Sequence, residues 1–348
     1  MTSHQFELSE SPQDAISAVK FASSSPKLLV ASWDKHVYLY DASEGDSARI
    51  LQKYEHRAPV LDLCFGKDDQ EAFTVGVDWD VRRVDLTTGE QTVLSSHDAG
   101  ANAVVYDPAH DMVISGGWDS TLHIHLRSQP DHVPNTIQLP SKAFSISLTA
   151  TKVVVAMATR AVHIYELDAL ATAAAQSSQP SPNLLEVEPW QTRESSLKFM
   201  TRAVSCMSND AGYASSSIEG RVAVEWFDPS SESQARKYAF KCHRQTVDSV
   251  DVVYPVNALS FHPKHGTFAS GGGDGVVALW DGVAKRRIRQ YQKYPASIAA
   301  LDFSKDGRYL AVAVSSGFED GQEDIEGSVV KVFIRELSDS EAKGKVLK

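Results

Sequence analysis

The chain repeats one pattern of apolar and polar positions. Each repeat begins with a short strand in which apolar and polar residues alternate, continues with a second, more apolar strand, and passes through a turn into a third strand. Such alternation is typical of β-strands. Seven first strands can be read, at residues 15–21, 59–65, 101–106, 143–148, 203–208, 256–261 and 297–303. A spacing of roughly 40 to 55 residues with little helical periodicity predicts an all-β propeller with seven four-stranded blades.

The repeat predicts one domain. A single blade would leave apolar faces uncovered, and closing seven blades into a ring buries those faces against neighbours. The predicted propeller spans residues 1–337 and is followed by a tail at 338–348. Its blades are expected at residues 15–54, 55–95, 96–139, 140–190, 191–240, 241–292 and 293–337.

The two ends of the chain predict how the ring closes. A third strand at residues 329–334 ends the last repeat without an outer strand, and a short strand at residues 4–9 precedes the first full repeat. Pairing these two strands leaves the ring without an open edge. We therefore predict that residues 4–9 supply the outer strand of blade 7.

Two segments do not fit the repeat. Residues 169–183 are rich in Ala, Ser and Pro, which predicts a flexible insertion between the third and outer strands of blade 4. Residues 317–327 are acidic and are expected to form a solvated loop in blade 7.

A tryptophan followed by an aspartate recurs in the turns after the second strands. Trp33, Trp79 and Trp118 are predicted to share one position of the repeat and to lie on one rim of the ring. Trp is enriched among the residues that dominate binding energy at protein interfaces, so these side chains are interpreted as an aromatic platform for a partner. For Trp79 and Trp118 the alternative is packing against the neighbouring blade.

Composition narrows the class of protein. Hydrophobic residues make up 42% of the chain and charged residues 23%, as in soluble globular proteins. A net charge of -11 argues against direct nucleic-acid binding. We find neither a membrane-spanning run nor a signal peptide, and the three cysteines lack metal-binding or disulfide spacing. We therefore expect an intracellular, monomeric propeller without cofactor or metal.

Catalytic motifs are missing from the sequence. It contains no phosphate-binding P-loop, no zinc-protease motif and no nucleophile elbow in a strand-to-helix context. The glycine-rich run at residues 271–275 leads into a tight turn between strands, with no helix N-terminus that could receive a phosphate. We therefore predict a protein that is not an enzyme and has no catalytic residues.

Cations are concentrated in blades 5 and 6 of this otherwise acidic chain. Such a cluster suits an acidic or phosphorylated peptide, because Arg and Lys bind phosphate through charge-assisted hydrogen bonds. The cluster consists of Arg193, Lys198, Arg202, Arg221, Lys241 and Arg244.

The repeat resembles the WD-repeat family, in which Gly-His precedes the first strand, Asp lies in the turn before the third strand, and Trp-Asp ends the third strand. Trp280 and Asp281 match the final pair closely. The resemblance implies structural roles, through buried hydrogen bonds between loop and turn, for two sets of residues. These are the histidines His56, His97 and His243 and the turn aspartates Asp34, Asp80, Asp119 and Asp274.

Four segments make the resemblance more specific. RESSLK (193–198), SSIEGRVAVE (216–225), YAFKCHR (238–244) and YPVNALSFH (254–262) are similar to the spindle-checkpoint family of WD-repeat propellers, and the similarity extends over all seven blades. The nuclear-pore family of messenger RNA export propellers shares IEGRVA and FKCHR, whereas RESSLK and YPVN favour the checkpoint family. The chain departs from the family pattern at Trp79 and in the insertion at residues 169–183.

The resemblance implies a non-catalytic adaptor with two ligands. One is the GLEBS segment of the checkpoint kinase and of its pseudokinase relative, for which Trp33 and Arg202 match contact positions, with Trp79 and Trp118 on the same rim. The other is phosphothreonine in Met-Glu-Leu-Thr repeats of the outer kinetochore scaffold, for which Arg221 and Lys241 match the phosphate-binding pair.

The resemblance also implies a place in the cell and a further partner. Recruitment of the kinases to unattached kinetochores places the protein in the nucleus and, in mitosis, at kinetochores. The further implied partner is the assembly that inhibits the anaphase-promoting complex. Two alternatives are an export adaptor that binds a nucleoporin GLEBS segment at the nuclear pore and, disfavoured by the missing motifs, a propeller enzyme.

Overall fold

The computed structural model describes residues 4–43, 48–129, 134–177, 183–316 and 329–344. Within these ranges, six four-stranded sheets and one five-stranded sheet form the seven blades of a β-propeller, and a two-stranded hairpin stands apart from them. The predicted fold class is therefore confirmed.

The first three blades follow the chain from the central channel outward. Blade 1 comprises β2 (Ile16–Phe21), β3 (Lys27–Ser32), β4 (His36–Asp41) and β5 (Arg49–Glu55). Blade 2 comprises β6 (Val60–Phe65), β7 (Glu71–Gly76), β8 (Asp80–Asp85) and β9 (Gln91–Ser96). Blade 3 comprises β10 (Ala101–Asp107), β11 (Met112–Gly117), β12 (Thr121–Leu126) and β13 (Asn135–Gln138), with β17 (Asn183–Leu184) as a fifth strand.

Blades 4 to 7 have the same plan. Blade 4 comprises β14 (Ala143–Leu148), β15 (Lys152–Met157), β16 (Ala161–Glu166) and β18 (Gln191–Glu194). Blade 5 comprises β19 (Thr201–Cys206), β20 (Gly212–Ser217), β21 (Arg221–Trp226) and β22 (Tyr238–Lys241). Blade 6 comprises β25 (Val256–Phe261), β26 (Thr267–Gly272), β27 (Val277–Asp281) and β28 (Arg286–Gln290). Blade 7 comprises β29 (Ile298–Phe303), β30 (Tyr309–Val314), β31 (Lys331–Glu336) and β1 (Gln5–Glu7).

The remaining elements lie between or beside the blades. They are a hairpin of β23 (Arg244–Val247) and β24 (Val250–Val253), and the helices α1 (Leu167–Gln176), α2 (Ser231–Ala235) and α3 (Asp339–Ala342). None of these helices is long and apolar enough to cross a membrane.

The ring closes as the sequence predicts. Strand β1 pairs antiparallel with β31, so that Phe6 lies opposite Ile334. Both side chains are buried in the cluster shared by blades 7 and 1. An ion pair of 2.8 Å between Lys331 Nζ and Glu7 Oε2 adds a contact at the same seam. The first and last parts of the chain thus complete one blade together.

The second strand of a blade is the most buried because neighbouring blades cover both of its faces. Every residue of β7, β11, β20 and β26 is buried. This environment explains why the second strands read as continuous apolar and small residues, since only a half-buried strand needs polar alternation.

Side chains also link the inner strands around the channel. Asp62 in blade 2 accepts the Val104 amide of blade 3 at 3.0 Å, and Ser147 in blade 4 accepts the Cys206 amide of blade 5 at 3.0 Å. Asp302 in blade 7 accepts the Phe21 amide of blade 1 at 2.8 Å. Because each bond joins two blades, the first strands form a connected lining of the channel.

The predicted flexible insertion is partly a helix. Helix α1 covers Leu167–Gln176 and buries Leu167, Leu170, Ala171 and Ala174 against blades 3 and 4. These positions recur at the spacing of one helix face, and Ala has the highest helix propensity. The prediction is therefore wrong for residues 169–176, because the Ala-rich composition concealed an amphipathic pattern.

After the helix, the chain returns to the blades by way of β17 in blade 3. The outer strand of blade 4 is β18, which pairs with β16 and lies beyond the predicted blade boundary at residue 190. Residues 178–182 of the insertion and the acidic loop at residues 317–327 lie outside the described residues.

Candidate functional site

The candidate site lies on the face that we call the upper face, which is formed by the turns between second and third strands and by the loops that join the blades. Strand register defines these turns as residues 32–36, 76–80, 117–121, 157–161, 217–221 and 272–276. In each turn the amide of the second residue donates to a carbonyl just before the first strand. The fourth residue has a positive φ in all six turns. The turns are therefore structurally equivalent position by position.

This equivalence corrects the position predicted for Trp79. Trp33 and Trp118 are second residues of their turns, where blade 2 has Val77. Trp79 is a fourth residue, with a φ of 75°, and its carbonyl accepts the His97 amide. The alignment of the three tryptophans at one repeat position is wrong for Trp79 by two residues. All three nevertheless lie on the upper face.

The same register corrects the turn aspartate of blade 2. Asp78 is equivalent to Asp34, Asp119 and Asp274, whereas Asp80 is the first residue of β8. The prediction of Asp80 as the turn aspartate is therefore wrong by two residues. A repeated Trp-Asp pair suggested the wrong alignment, and counting two residues forward from the end of β7 at Gly76 gives Asp78.

Two of the predicted histidine–aspartate pairs are present in buried networks. His97 Nδ1 lies 3.0 Å from Asp119 Oδ2, and His243 Nδ1 lies 2.9 Å from Asp274 Oδ1. Burial opposes ionisation of Asp119, but hydrogen bonds from His97 and a backbone amide hold the pKa of Asp119 well below its usual value. These pairs join the loop before a blade to the turn of that blade.

The other predicted structural residues make different contacts. Asp34 accepts the Gln13 amide at 2.8 Å and the Tyr38 hydroxyl at 2.6 Å. His56 Nε2 lies 2.9 Å from the Thr74 hydroxyl, and burial lowers the pKa of His56 to about 4. Asp80 accepts hydrogen bonds from Arg57 and from Arg82. All of these contacts hold turns and loops of the upper face.

A cavity of about 840 Å³ occupies the channel and opens on the upper face. Trp33 of blade 1, Trp118 of blade 3 and Arg202 of blade 5 line it, together with residues of every inner strand. We call the part of this cavity bordered by Trp33, Trp118 and Arg202 the channel mouth. Trp79, Arg221 and Lys241 are not among the lining residues.

Arg202 belongs to a hydrogen-bonded chain across three blades. Its side chain is exposed, and Nη2 donates to Asn257 Oδ1 of blade 6 at 3.1 Å. Asn257 Nδ2 in turn donates to the Ser297 hydroxyl of blade 7 at 3.1 Å. The guanidinium is thus held at the channel mouth. Asn257 lies within the segment YPVNALSFH (254–262), but this contact was not predicted from the sequence.

An apolar border at the mouth was not predicted. Met200 and Ile218 line the cavity beside Arg202, and their side chains are 38% exposed. The Ile218 amide donates to the Met200 carbonyl, which fixes these two residues side by side. A repeat pattern cannot reveal such a border, because the two residues come from a loop and a turn that carry no repeated signal.

The predicted phosphate-binding residues are direct neighbours. Arg221 opens β21, Lys241 ends β22, and the two are register partners across the strands. Arg221 Nε lies 3.4 Å from Glu219 Oε1, and its side chain is 35% exposed. No carboxylate of the described residues lies within 4 Å of Lys241 Nζ. Like charges directly opposite each other in a sheet destabilise it, so an anion between them would be favourable.

The other cations of the predicted cluster are placed differently. Arg193 contacts Glu225 and the carbonyls of Trp226 and Phe227, so it joins blades 4 and 5. Arg244 donates to the Gly220 carbonyl at 3.3 Å, beside Arg221. Lys198 is exposed in the loop before blade 5. Only part of the cluster therefore faces solvent near the cation pair.

One group of side chains in the described residues could hold a metal ion by geometry. The ligand atoms of His97, Asp119 and His123 lie within 4.8 Å of one another. However, His97 already uses Nδ1 toward Asp119 and Nε2 toward the Ser115 hydroxyl at 3.0 Å. These atoms serve the turn network, so the arrangement does not support a metal centre.

The fold and the upper face define a WD-repeat propeller, and comparisons with known proteins agree. The sequence model of the family described as WD domain, G-beta repeat matches residues 3–41, 89–125 and 235–281. A solved structure of U3-55K matches with a TM-score of 0.74, covering 94% of this chain and 96% of that chain at 13% identity, which shows the fold alone.

Two curated relatives cover nearly the whole chain. Mitotic checkpoint protein BUB3.1 of Arabidopsis thaliana is 44% identical over 97% of this chain and 94% of its own length. The mRNA export factor GLE2 of Chaetomium thermophilum is 32% identical over 90% of this chain and 85% of its own length. The chain belongs to the BUB3 family of mitotic checkpoint WD-repeat proteins.

Proposed function

We propose that the chain is a non-catalytic adaptor of the spindle assembly checkpoint. It joins GLEBS segments of the checkpoint kinase and pseudokinase to the phosphorylated kinetochore scaffold. The observation that carries the proposal is the solvent-facing pair of Arg221 and Lys241 on the same face as a tryptophan-bordered channel mouth. Two chemically different surfaces on one face fit a protein that holds two peptides together.

The channel mouth fits a peptide with apolar and acidic residues. Trp33 and Trp118 offer large aromatic surfaces, and Arg202 offers a cation held by Asn257. Such aromatic and Arg side chains are the usual anchors of protein interfaces. Trp79, 50% exposed in the blade between those of Trp33 and Trp118, extends the aromatic surface along the upper face. We assign this surface to the GLEBS segment.

The cation pair fits a phosphothreonine. A phosphate carries roughly -1.5 to -2 charges and accepts several charge-assisted hydrogen bonds. Arg221, whose side chain is 35% exposed, and Lys241 lie opposite each other on paired strands, so a phosphate between them would gain donors from both side chains and reduce the repulsion between the two cations. We assign this pair to the phosphothreonine of Met-Glu-Leu-Thr repeats.

These two assignments imply a cellular role. The adaptor would recruit the kinases to unattached kinetochores in mitosis. Outside mitosis it would lie in the nucleus. It would also join the assembly that inhibits the anaphase-promoting complex. The similarity to a mitotic checkpoint protein of Arabidopsis thaliana supports this process.

Calorimetry with a synthetic GLEBS peptide tests the first ligand. Trp33→Ala and Arg202→Glu should each weaken binding at least about 30-fold, because truncating an interface anchor costs about 2 kcal/mol or more. Trp190→Ala is the matched control, since Trp190 is 40% exposed but packs on Phe227 away from the mouth. Unchanged affinity in both mouth variants would remove this surface from the proposal.

Phosphorylated and unmodified Met-Glu-Leu-Thr peptides test the second ligand, with the GLEBS peptide present. Arg221→Ala or Lys241→Ala should lower affinity for the phosphorylated peptide about 10- to 100-fold and leave GLEBS binding unchanged. Lys67→Ala, which removes an exposed cation elsewhere, should have little effect. If the double variant still prefers the phosphorylated peptide as strongly as wild type does, the phosphate binds at another place.

The second candidate function is export of messenger RNA at the nuclear pore, where the ligand would be a nucleoporin GLEBS segment. The similarity to the mRNA export factor GLE2 favours it. Competition between checkpoint and nucleoporin GLEBS peptides, together with a pull-down from mitotic extract, separates the two functions. A clear preference for the nucleoporin segment would overturn the checkpoint assignment.

A further inference from the structure

The outer strand of blade 6 is unusually basic. Strand β28 reads Arg-Arg-Ile-Arg-Gln, with no acidic residue, and four of its five side chains are exposed. Lys285 precedes it directly and Lys293 follows three residues after its end. By comparison, β9 has no charged residue, β22 has one Lys, and β18 has one Arg and one Glu. A positive strand edge thus lies on the circumference of a chain with a net charge of -11.

Most of these cations lack an acidic partner. Arg289 Nη1 lies 3.5 Å from Glu341 Oε1. Arg287 donates instead to Gln290, and Lys285 Nζ lies over the Tyr238 ring, 4.9 Å from its centroid. In the part of the chain that the structure describes, no carboxylate lies within 4 Å of the charged groups of Lys285, Arg286 or Arg287. Their charge is therefore available to an anionic partner.

The backbone of β28 is free along one side. It pairs with β27 and is the last strand of its sheet among the described residues. The outward N–H and C=O groups of such a strand form a template for a further strand from another chain. The edge thus offers hydrogen bonds for a peptide backbone next to cations for its side chains.

Blade 3 shows that an outer strand of this ring accepts a fifth strand. Strand β17 pairs parallel with β13, placing Asn183 opposite Asn135 and Leu184 opposite Thr136. The Leu185 amide continues the pairing by donating to the Thr136 carbonyl at 2.8 Å. In blade 3 the added strand comes from the chain itself, whereas in blade 6 the corresponding position is open in the described residues.

We propose that β28 is a docking edge for an acidic, extended segment of a partner protein, which adds to blade 6 as a fifth strand. Its backbone pairs with the free edge of β28, and its carboxylates contact Arg286, Arg287 and Arg289. This surface lies on the circumference, apart from the channel mouth and from the Arg221–Lys241 pair, so it is independent of the proposed function. A nucleic acid would match the charge but has no amide groups to pair with the strand. Cations that only protect the edge from aggregation would bind nothing.

Fluorescence anisotropy with the full chain and short labelled probes tests the chemistry. The probes are a ten-residue peptide of alternating Glu and Val, its Lys-Val and Glu-Pro counterparts, and a ten-nucleotide oligothymidylate. We expect the Glu-Val peptide to bind at least about 10-fold more tightly than the Glu-Pro peptide, because Pro lacks the amide needed for pairing. Its binding should weaken with added salt. Equal binding of the Glu-Pro peptide or of the oligonucleotide, or no binding of the Glu-Val peptide, would overturn the proposal.

Charge-reversal variants test the location. Arg286→Glu/Arg287→Glu should weaken Glu-Val binding at least about 10-fold, since it reverses two charges at the edge. The matched control, Arg49→Glu/Lys53→Glu on the outer strand of blade 1, changes net charge equally and should change affinity less than about 3-fold. An equal loss in the control would contradict a specific edge.

The milder Arg286→Gln/Arg287→Gln variant keeps the test valid if charge reversal impairs folding, and it should still weaken binding. Hydrogen exchange of the wild-type chain with bound Glu-Val peptide gives an independent readout. Amides within residues 286–290 should gain protection, and protection confined to other strands would place the peptide elsewhere.

Discussion

In blades 2 and 6, different side chains stabilise the turn between the second and third strands. In blade 6, His243 contacts both Asp274 and the Ser270 hydroxyl, and Trp280 Nε1 donates to that hydroxyl at 2.8 Å. In blade 2, the equivalent His56 contacts the Thr74 hydroxyl, but its Nδ1 faces a backbone carbonyl instead of the turn aspartate. The turn aspartate of blade 2 is bound by an arginine.

The register explains this difference. Arg82 lies opposite Thr74 in blade 2, where blade 6 has Ala278 opposite Ser270. From that position the Arg82 side chain, only 11% exposed, reaches Asp78 at 2.7 Å and also contacts Asp80. A buried carboxylate needs a partner, and either a His or an Arg meets that need. Blades 4 and 5 have Thr159 and Glu219 at this position, so the fold does not require an aspartate there, but in blades 2 and 6 the turn aspartate has a partner, which can be an Arg or a His.

The two turns also differ at the fourth residue. Blade 6 has Gly275 and blade 2 has Trp79, and both have a φ of 75°. Glycine adopts this conformation without steric cost, whereas a bulky residue is strained there. Blade 2 therefore combines an ionic network with a strained, half-exposed tryptophan.

The largest expected effect comes from removing the buried arginine of blade 2. Arg82→Met should lower the free energy of unfolding by about 3 to 5 kcal/mol, because Asp78 and Asp80 lose their buried partner. Chemical denaturation measures this loss. Arg57→Met, which removes an arginine that contacts the same carboxylates but is 69% exposed, should cost less than about 1 kcal/mol. Equal losses of unfolding free energy in Arg82→Met and Arg57→Met would mean that the contribution of an arginine to stability here does not depend on its burial.

Acid should weaken the fold through the buried His56 of blade 2. Burial lowers the pKa of His56 to about 4, below the value of about 6.5 in an unfolded chain, so folding favours the neutral ring. Its contribution is fully present above about pH 6.5 and is lost as the pH falls toward 4, by about 3 kcal/mol at most. The free energy of unfolding, measured from pH 7 to 4.5, should fall more steeply for wild type than for His56→Gln. Parallel curves would contradict a buried neutral His56.

Removing the blade 6 histidine should have a smaller effect than removing Arg82. His243→Ala removes one hydrogen bond from Ser270, which keeps its bond from Trp280, and one from Asp274, which keeps its bond from the Val276 amide; the loss should cost about 1 to 3 kcal/mol. A double-mutant cycle with Asp274→Ala should give a coupling energy above about 0.5 kcal/mol. Additive losses would show that the two side chains act independently.

The smallest effects, of opposite sign, concern the fourth turn residue. Trp79→Gly should stabilise the fold by about 1 kcal/mol by relieving the positive φ. Gly275→Ala should destabilise it by at least about 1 kcal/mol, since an added Cβ would lie 2.8 Å from the Ala296 carbonyl oxygen. Thermal melts of both variants test the pair. A loss of stability in Trp79→Gly would mean that the indole packs usefully despite its exposure.

The repeat made most of the fold predictable. Strand alternation fixed the number of blades, and the missing outer strand identified β1 as the partner of β31. Local composition misled in two places. The Ala-rich insertion contains the helix α1, and a repeated Trp-Asp pair suggested a position for Trp79 that is wrong by two residues. The hairpin of β23 and β24 was not predicted, because an isolated exposed pair of strands lacks the apolar pattern of a blade.

The candidate site was predictable only in part. Arg221 and Lys241 are twenty residues apart in sequence and become neighbours because a third strand pairs with an outer strand within one blade. Their proximity follows from the repeat. The contact of Arg202 with Asn257 crosses from blade 5 to blade 6 and depends on how the blades pack. The exposed apolar border of Met200 and Ile218 depends on loop conformation in the same way.

The sequence by itself determined the blade count, the closure of the ring and the face on which the turns lie, because these follow from local alternation and regular spacing. The tertiary structure decided which side chains share the channel mouth and which partner neutralises each buried aspartate. It also decided that one outer strand is covered by β17 while β28 stays open. These features depend on contacts between blades that are distant in sequence, and no local pattern encodes the side chains that such contacts bring together.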